Sequence, residues 1–156
     1  LITGLNSMEI YVETLSLLVP EHSEWASQGT ISWEDAARLP LCLLGEHMHE
    51  RRIIDDAFNE VGCKPPVVVT TADSILNLIF HVMFAGLVTV VPSHFARLPG
   101  QLPGTKAIQL IKPEISRDVG LVWSSSEPIM PMAKHMISIV RSFRESGELE
   151  EQLGAP

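Results

Sequence analysis

The chain has 156 residues, 46% hydrophobic and 19% charged, which suffices for one domain or two small lobes with a real core. Its formal charge of −8 repels phosphate backbones. No basic stripe, zinc-finger spacing or interleaved Arg/aromatic run offsets that charge, so the chain alone is not read as a nucleic-acid binder.

The N-terminal LITGL reads as the tail of a strand, and VETLSLLVP (residues 12–20) as a strand stopped by Pro20. A polar loop follows. Ser32 then stands as an N-cap with Asp35 three places on, opening a short helix that ends before Pro40. Leu41–Leu44 is a short buried strand, and GEHMH (45–49) is the loop after it. Ile53, Ile54, Ala57, Phe58 and Val61 form one apolar helical face, with Arg51, Arg52, Asp55, Asp56, Asn59 and Glu60 as its wet side and Gly62 just past its end.

Val67–Thr70 is a β-branched strand. Ala72–Ala85 is a helix apolar nearly all round, predicted to be buried on more than one side and ended by Gly86. The longest near-apolar run, Ile75–Val91, is interrupted by Asn77, His81 and Gly86 and is too short to cross a bilayer. Leu87–Val91 is a strand, Ser93–Leu98 a helical turn and PGQLPG (99–104) a loop; Ile108–Ile111 and Val119–Trp123 are two further strands. Pro131 opens the last helix, whose predicted inner face is Met132, Met136, Ile137, Val140 and Phe143; the tail 147–156 is acidic and expected to fray. Strands alternating with helices from Leu41 to Val91 predict an α/β fold with a parallel sheet, its strands covered on both faces.

There are two cysteines. Cys42 reads as a small core residue and Cys63 lies in a turn; no CxxC pattern or disulfide framework is present. With no charged leader before the first apolar residues, the default compartment is a reducing cytoplasm.

In an open α/β sheet, ligands bind beyond the carboxyl ends of the strands. Two corners of this kind stand out: GEHMH after Leu44, and TTADS (70–74) after the β-branched strand. Each leads into a helix and offers unpaired backbone N–H groups at the positive end of a dipole, suited to a carboxylate or another anion. The competing reading is that Thr71 and Ser74 simply cap the helix, and the charge of Asp73 competes for the same dipole. His47 and His49 have a spacing possible for zinc, but no third ligand cluster accompanies them. Asn77 and His81, one turn apart, either line a cleft or bond to each other or to backbone. There is no GxSxG elbow and no phosphate-binding glycine loop, so nothing supports catalysis.

The order of these segments resembles the effector-sensing domain of LysR-type transcriptional regulators. The resemblance is carried by ETLSLLVPEHSEWA (13–26), ISWEDAARLPLCLLG (31–45), the core from Arg52 to Leu98 containing the DSILNLIFHVMFAGLVTVVP run, and VGLVWSSSEPIMPMAKHMISIVRS (119–142). It implies a periplasmic-binding-protein-like (type 2) fold of two lobes with a cleft for a small effector. Residues 18–112 would form a complete second lobe. Residues 1–17 and 113–145 would form part of the first lobe, and 146–156 a tail. The family's winged helix-turn-helix would be absent from this chain, and DNA would be reached only through that domain.

Carried over by position, the effector-binding candidates are Gly45, Glu46, His47, Met48, Thr71, Ala72 and Asp73, with Asn6 and Ser7 following the first-lobe strand. The family further implies an organic acid or anion as effector, self-association into a homo-oligomer, no catalysis, no metal or other cofactor and no membrane partner. A secreted solute-binding protein of the same fold is the alternative. One departure is Val88, where a second glycine is common in the family.

Overall fold

The protein is described here by a computed structural model covering residues 4–62, 66–97, 102–126 and 128–148. Its contacts divide the chain into two compact units, Thr14–Ile115, and Leu1–Glu13 with Ser116–Pro156. One strand, β1 (Leu5–Pro20), runs through both.

In the larger unit the second half of β1 lies between β5 (Thr89–Pro92) and β6 (Thr105–Ile111), antiparallel to each. Strand β2 (Thr30–Ser32) runs parallel to β6 on the far side. Strand β3 (Leu41–Leu44) pairs in parallel with β4 (Val68–Ala72), and a parallel bridge from Leu41 to Val88 sets β3 beside β5. The order across the sheet is therefore β2-β6-β1-β5-β3-β4. The parallel arrangement expected from Leu41 to Val91 is found, and with β1 added the sheet as a whole is mixed. The crossovers through β3, β4 and β5 are parallel as predicted, but β1 comes from the other unit and runs against its neighbours.

Alternation along the strands divides the core in two. Leu17, Val19, Leu41, Leu43, Val88 and Val90 face one side, with Trp33 of α1 (Trp33–Ala36) and Ile54, Ala57 and Phe58 of α2 (His49–Glu60). Leu18, Cys42, Leu44 and Val91 face the other, with Leu78, Ile79 and Val82 of α3 (Ile75–Ala85). These are the period-2 faces of strands covered on both sides. Trp33 meets Phe58 edge-on at 5.1 Å and donates its indole N–H to the carbonyl of Pro113 at 3.0 Å, so the largest buried side chain has its one polar atom satisfied. The predicted cap of α1 is made: the Ser32 hydroxyl oxygen accepts from the Asp35 amide at 3.1 Å.

Three expectations in this unit are revised. Arg51, assigned to the wet face of α2, is 7% exposed. It donates from Nη1 to the Leu44 carbonyl and from Nε to Asp55, both at 2.8 Å, because α2 lies close enough to the end of β3 for a long cation to satisfy a buried carbonyl. Helix α3 begins at Ile75 rather than Ala72, since β4 continues through Thr71 and Ala72 on its pairing with Leu43 and Leu44. Nor is α3 buried on more than one side: Leu76, Phe80 and Phe84, spaced i, i+4 and i+8, are 57%, 45% and 77% exposed. Only the opposite stripe reaches the sheet. Gly86 closes the helix at a positive φ of 69°, as its position predicts. Cys63 lies outside the described residues.

In the smaller unit, the first half of β1 pairs with β7 (Ser116–Ser124), and α4 (Pro131–Ser146) follows. The two strands approach so closely that a Cβ on Gly120 would lie 2.6 Å from the Met8 carbonyl oxygen. Buried Glu13 is paired with Arg117, and the Tyr11 hydroxyl donates to Glu13. Burial, reinforced by the Glu13 carboxylate, pushes the Tyr11 phenol above its ordinary range.

The break expected after Leu5 is absent, because β7 supplies a ladder partner and strand structure runs unbroken from Leu5 to Pro20. The predicted inner face of α4 is also corrected. Ile137 alone is buried, Val140 is partly covered, and Met132, Met136 and Phe143 are exposed. Periodicity identifies residues that share a stripe without supplying a partner for it, and among the described residues only Ile137 of this helix is buried. Most of the acidic tail lies outside the described residues.

Candidate functional site

The two corners singled out in the sequence lie side by side in the larger unit. Strands β3 and β4 run in the same direction, so their carboxyl ends finish together. The Gly45 amide, one residue past β3, donates to the Ala72 carbonyl at the end of β4 at 3.1 Å. The Met48 amide donates to the Gly45 carbonyl at 2.9 Å, closing the GEHM segment into a turn.

Both corners then enter helices without a side-chain cap. Met48 precedes α2 with φ −83° and ψ 141°, and its thioether is no substitute for a capping oxygen. Ser74 precedes α3 with φ −153° and ψ 136°, and its hydroxyl makes no cap hydrogen bond. The capping reading of Thr71 and Ser74 is thus not realised: Thr71 is an exposed strand residue, and Ser74 is turned from its role. The first-turn amides of two helices are left for solvent or a ligand.

The floor of the corner is Gly45, which is buried. A methyl group there would lie 2.9 Å from Cε1 and 3.0 Å from Nδ1 of His47, and 3.0 Å from Oδ1 of Asp73. The imidazole of one corner and the carboxylate of the other therefore converge over the same Cα. Glu46, His47, Thr71 and Asp73 are exposed, Ala72 is partly buried, and Met48 packs against the core beneath α3. Sequence reasoning missed Arg51, which holds a buried positive charge against the last carbonyl of β3 and braces the corner from below. Its signal was the Arg51–Asp55 pair one turn apart, which was read as solvation.

The remaining candidates are elsewhere. Asn6 and Ser7 belong to the smaller unit and lie exposed near the start of β1, within the strand rather than after it. His49 is the exposed first residue of α2. Asn77 is exposed, and the His81 ring meets its backbone carbonyl through Nδ1 at 2.6 Å, a contact within the helix. Among the described residues no three metal-ligating side chains converge. The Cys42 thiol faces the carbonyls of Val88 and Leu78 at 3.5 and 3.9 Å, and burial pushes it up to about 11, away from thiolate chemistry. The groups gathered at the corner are helix-start amides that no side chain caps, with an imidazole and a carboxylate over a glycine floor.

An α/β chain of this layout, with a glycine-floored corner at the carboxyl ends of parallel strands, has the type 2 periplasmic-binding-protein-like fold. The sequence matches the LysR substrate binding domain family over residues 2–144, and the chain belongs to that family. Among solved structures it is similar to the effector binding domain of QuiR in complex with shikimate (TM-score 0.74, 16% identity, 93% of this chain and 68% of that one). It is also similar to the reduced form of the OxyR regulatory domain from Pseudomonas aeruginosa (TM-score 0.71, 21% identity, 92% and 68%). A third is HinK, a LysR family transcriptional regulator from the same organism (TM-score 0.72, 17% identity, 91% and 49%). At these identities the likeness is one of fold. The chain spans about half the length of HinK, at 49%. No curated protein sequence matches it significantly.

No described helix is long and apolar enough to cross a membrane.

Proposed function

We propose that this chain is the ligand-sensing part of a LysR-type transcriptional regulator, and that it holds a small organic acid or anion at the corner built from Gly45, Glu46, His47, Met48, Thr71, Ala72 and Asp73. Residues 18–112 act as a complete second lobe, and the first lobe is partial. Binding shifts the balance between conformations and, through a DNA-binding domain outside this chain, changes transcription. The chain works in the cytoplasm as a homo-oligomer and performs no catalysis.

The observation that carries this reading is the pair of uncapped helix starts facing the same corner at the ends of β3 and β4. Two dipole ends favour an anionic group, and the first-turn amides that no side chain caps supply its hydrogen bonds. His47 and Asp73 above the glycine floor select among ligands by shape and by their polar groups. The QuiR effector domain was solved with shikimate, itself a hydroxylated acid, which supports an acid as the first class to try.

A thermal-shift screen of small organic acids and inorganic anions tests the proposal. At least one should raise the melting temperature in a concentration-dependent way, and Thr71→Ala and Gly45→Ala should each diminish that shift. A shift that survives both substitutions unchanged would move the site away from this corner.

A further inference from the structure

A cavity of about 290 Å³ opens at the opposite edge of the same unit, between the 3-10 turn Glu24–Ser27, β2 and α1. It is lined by Trp25, Gln28, Ile31, Asp35, Arg38 and Leu39. Strand β2 is five neighbours from β4 in the sheet order. At about 4.8 Å per strand spacing, the cavity is therefore separate from the corner described above. Its volume is at the lower end of ligand pockets, roughly 300–1,000 Å³, and its make-up is the usual one of apolar walls with a few polar groups. Trp25, Ile31 and Leu39 give the apolar part, and Trp25 and Leu39 are packed against the core.

The charged lining is Asp35 and Arg38, with the Glu34 carboxylate held on the far side of the guanidinium. Arg38 donates to Glu34 at 2.6 Å and to Asp35 at 3.3 Å, so one guanidinium serves two carboxylates. An incoming carboxylate would meet this excess of like charge. An ammonium group would be attracted by it, and an aromatic ring would find a flat partner in the Trp25 indole.

We propose that this cavity is a second ligand site, for a small arylalkylamine, with its ring against Trp25, Ile31 and Leu39 and its ammonium at Asp35 in competition with Arg38. It is independent of the anion-binding corner and has the opposite charge preference.

Phenethylamine, with 3-phenylpropionate as its charge-reversed control, is the probe. The chain has three tryptophans, so a ¹⁵N–¹H spectrum carries three indole N–H signals, and Trp25→Phe identifies the one from Trp25. Phenethylamine should move that signal saturably and leave those of Trp33 and Trp123 in place, while 3-phenylpropionate should not. Asp35→Asn should weaken binding about threefold, the scale of an exposed ion pair. Arg38→Ala should tighten binding by a similar factor, because it frees both carboxylates; a merely greasy pocket would show no such opposite signs. Arg38 and Asp35 are exposed, and because Asp35 Oδ2 also accepts from the Ser32 hydroxyl at the start of α1, unmoved Trp33 and Trp123 signals serve as the check that each variant keeps the fold. The proposal is overturned if the Trp25 signal does not saturate, if the carboxylate binds as well as the amine, or if Arg38→Ala weakens amine binding.

Discussion

Replacing Gly45 with alanine separates the floor of the candidate site from the fold that carries it. Gly45 does not adopt a left-handed conformation, so alanine brings no backbone strain. The new methyl would meet His47 at 2.9 and 3.0 Å and Asp73 at 3.0 Å, and each contact is with the end of a side chain that is otherwise exposed. Both can swing away by a few tenths of an ångström. Against that small cost stands a gain of about 0.4–1 kcal/mol from the narrower unfolded ensemble. The net change in stability should fall within about 1 kcal/mol, or roughly 2–4 °C in melting temperature for a chain of this size. Binding should respond far more, because the methyl fills the floor and displaces the two side chains that converge on it. A loss of at least tenfold, about 1.4 kcal/mol, is expected. Scanning fluorimetry of the variant, with and without the acid or anion that shifts the unsubstituted protein most, reads both quantities. An unchanged ligand shift would refute the site. A drop of more than about 10 °C without ligand would show that Gly45 is packed from below, contrary to the contacts on which the argument rests.

Three further outcomes test other parts of the structure. Gly120→Ala should destabilise the chain by about 1–3 kcal/mol in urea unfolding, because its Cβ meets the Met8 carbonyl at 2.6 Å and backbone cannot step aside as His47 can; a neutral result would mean that β1 and β7 are not paired there. Arg51→Ala should cost about 2–3 kcal/mol, since it strips the Leu44 carbonyl of a charge-assisted hydrogen bond in a buried place while Asp55 can turn to water; Arg51→Met, which keeps the packing of the stem, should recover part of the loss. Cys42 should resist iodoacetamide at pH 8 in the folded chain and react once urea unfolds it. Its folded pKa of about 11 is above the unfolded value. The unfolded chain therefore loses the thiol proton first as pH rises. This contribution to stability is present below about pH 9 and is lost as the pH climbs through 11. Cys42→Ala should flatten that alkaline decline.

Most of the larger unit was legible because its signals are local. Ser32 and Asp35 cap α1 from three residues apart, Gly62 and Gly86 adopt the positive φ their positions after helices call for, and Leu41–Leu44 is apolar on both pleats because helices cover both sides of the sheet. The candidate corners were legible for the same reason, as short polar breaks between a strand and a helix. Strand direction was harder. The residues of β1 look alike whether it runs with or against β5 and β6, and its direction is set by pairing across more than seventy positions, from Leu15 to Pro92. The reach of Arg51 to Leu44 was likewise invisible, because an arginine one turn from an aspartate reads the same on a wet face as over a buried carbonyl.

Burial of helix faces failed for a more general reason, which α3 and α4 show together. Periodicity says which residues share a stripe, but not how many stripes find a partner. In α3 the residues Leu78, Ile79 and Val82 meet the sheet, while Leu76, Phe80 and Phe84 are just as apolar and face outward. In α4 the 4-3-4 spacing of Met132, Met136, Ile139 and Phe143 is a regular apolar seam, yet all four are exposed and the adjoining Ile137 is the buried residue. An apolar stripe is a capacity for burial, and what lies across from it decides whether that capacity is used. The cost of leaving such side chains in water, about 25 cal/mol for each Å² of apolar surface, is the driving force available to whatever covers them. Among the described residues, uncovered apolar stripes of this kind run along α3 and α4. The corner at Gly45, by contrast, is polar and is braced from below by Arg51.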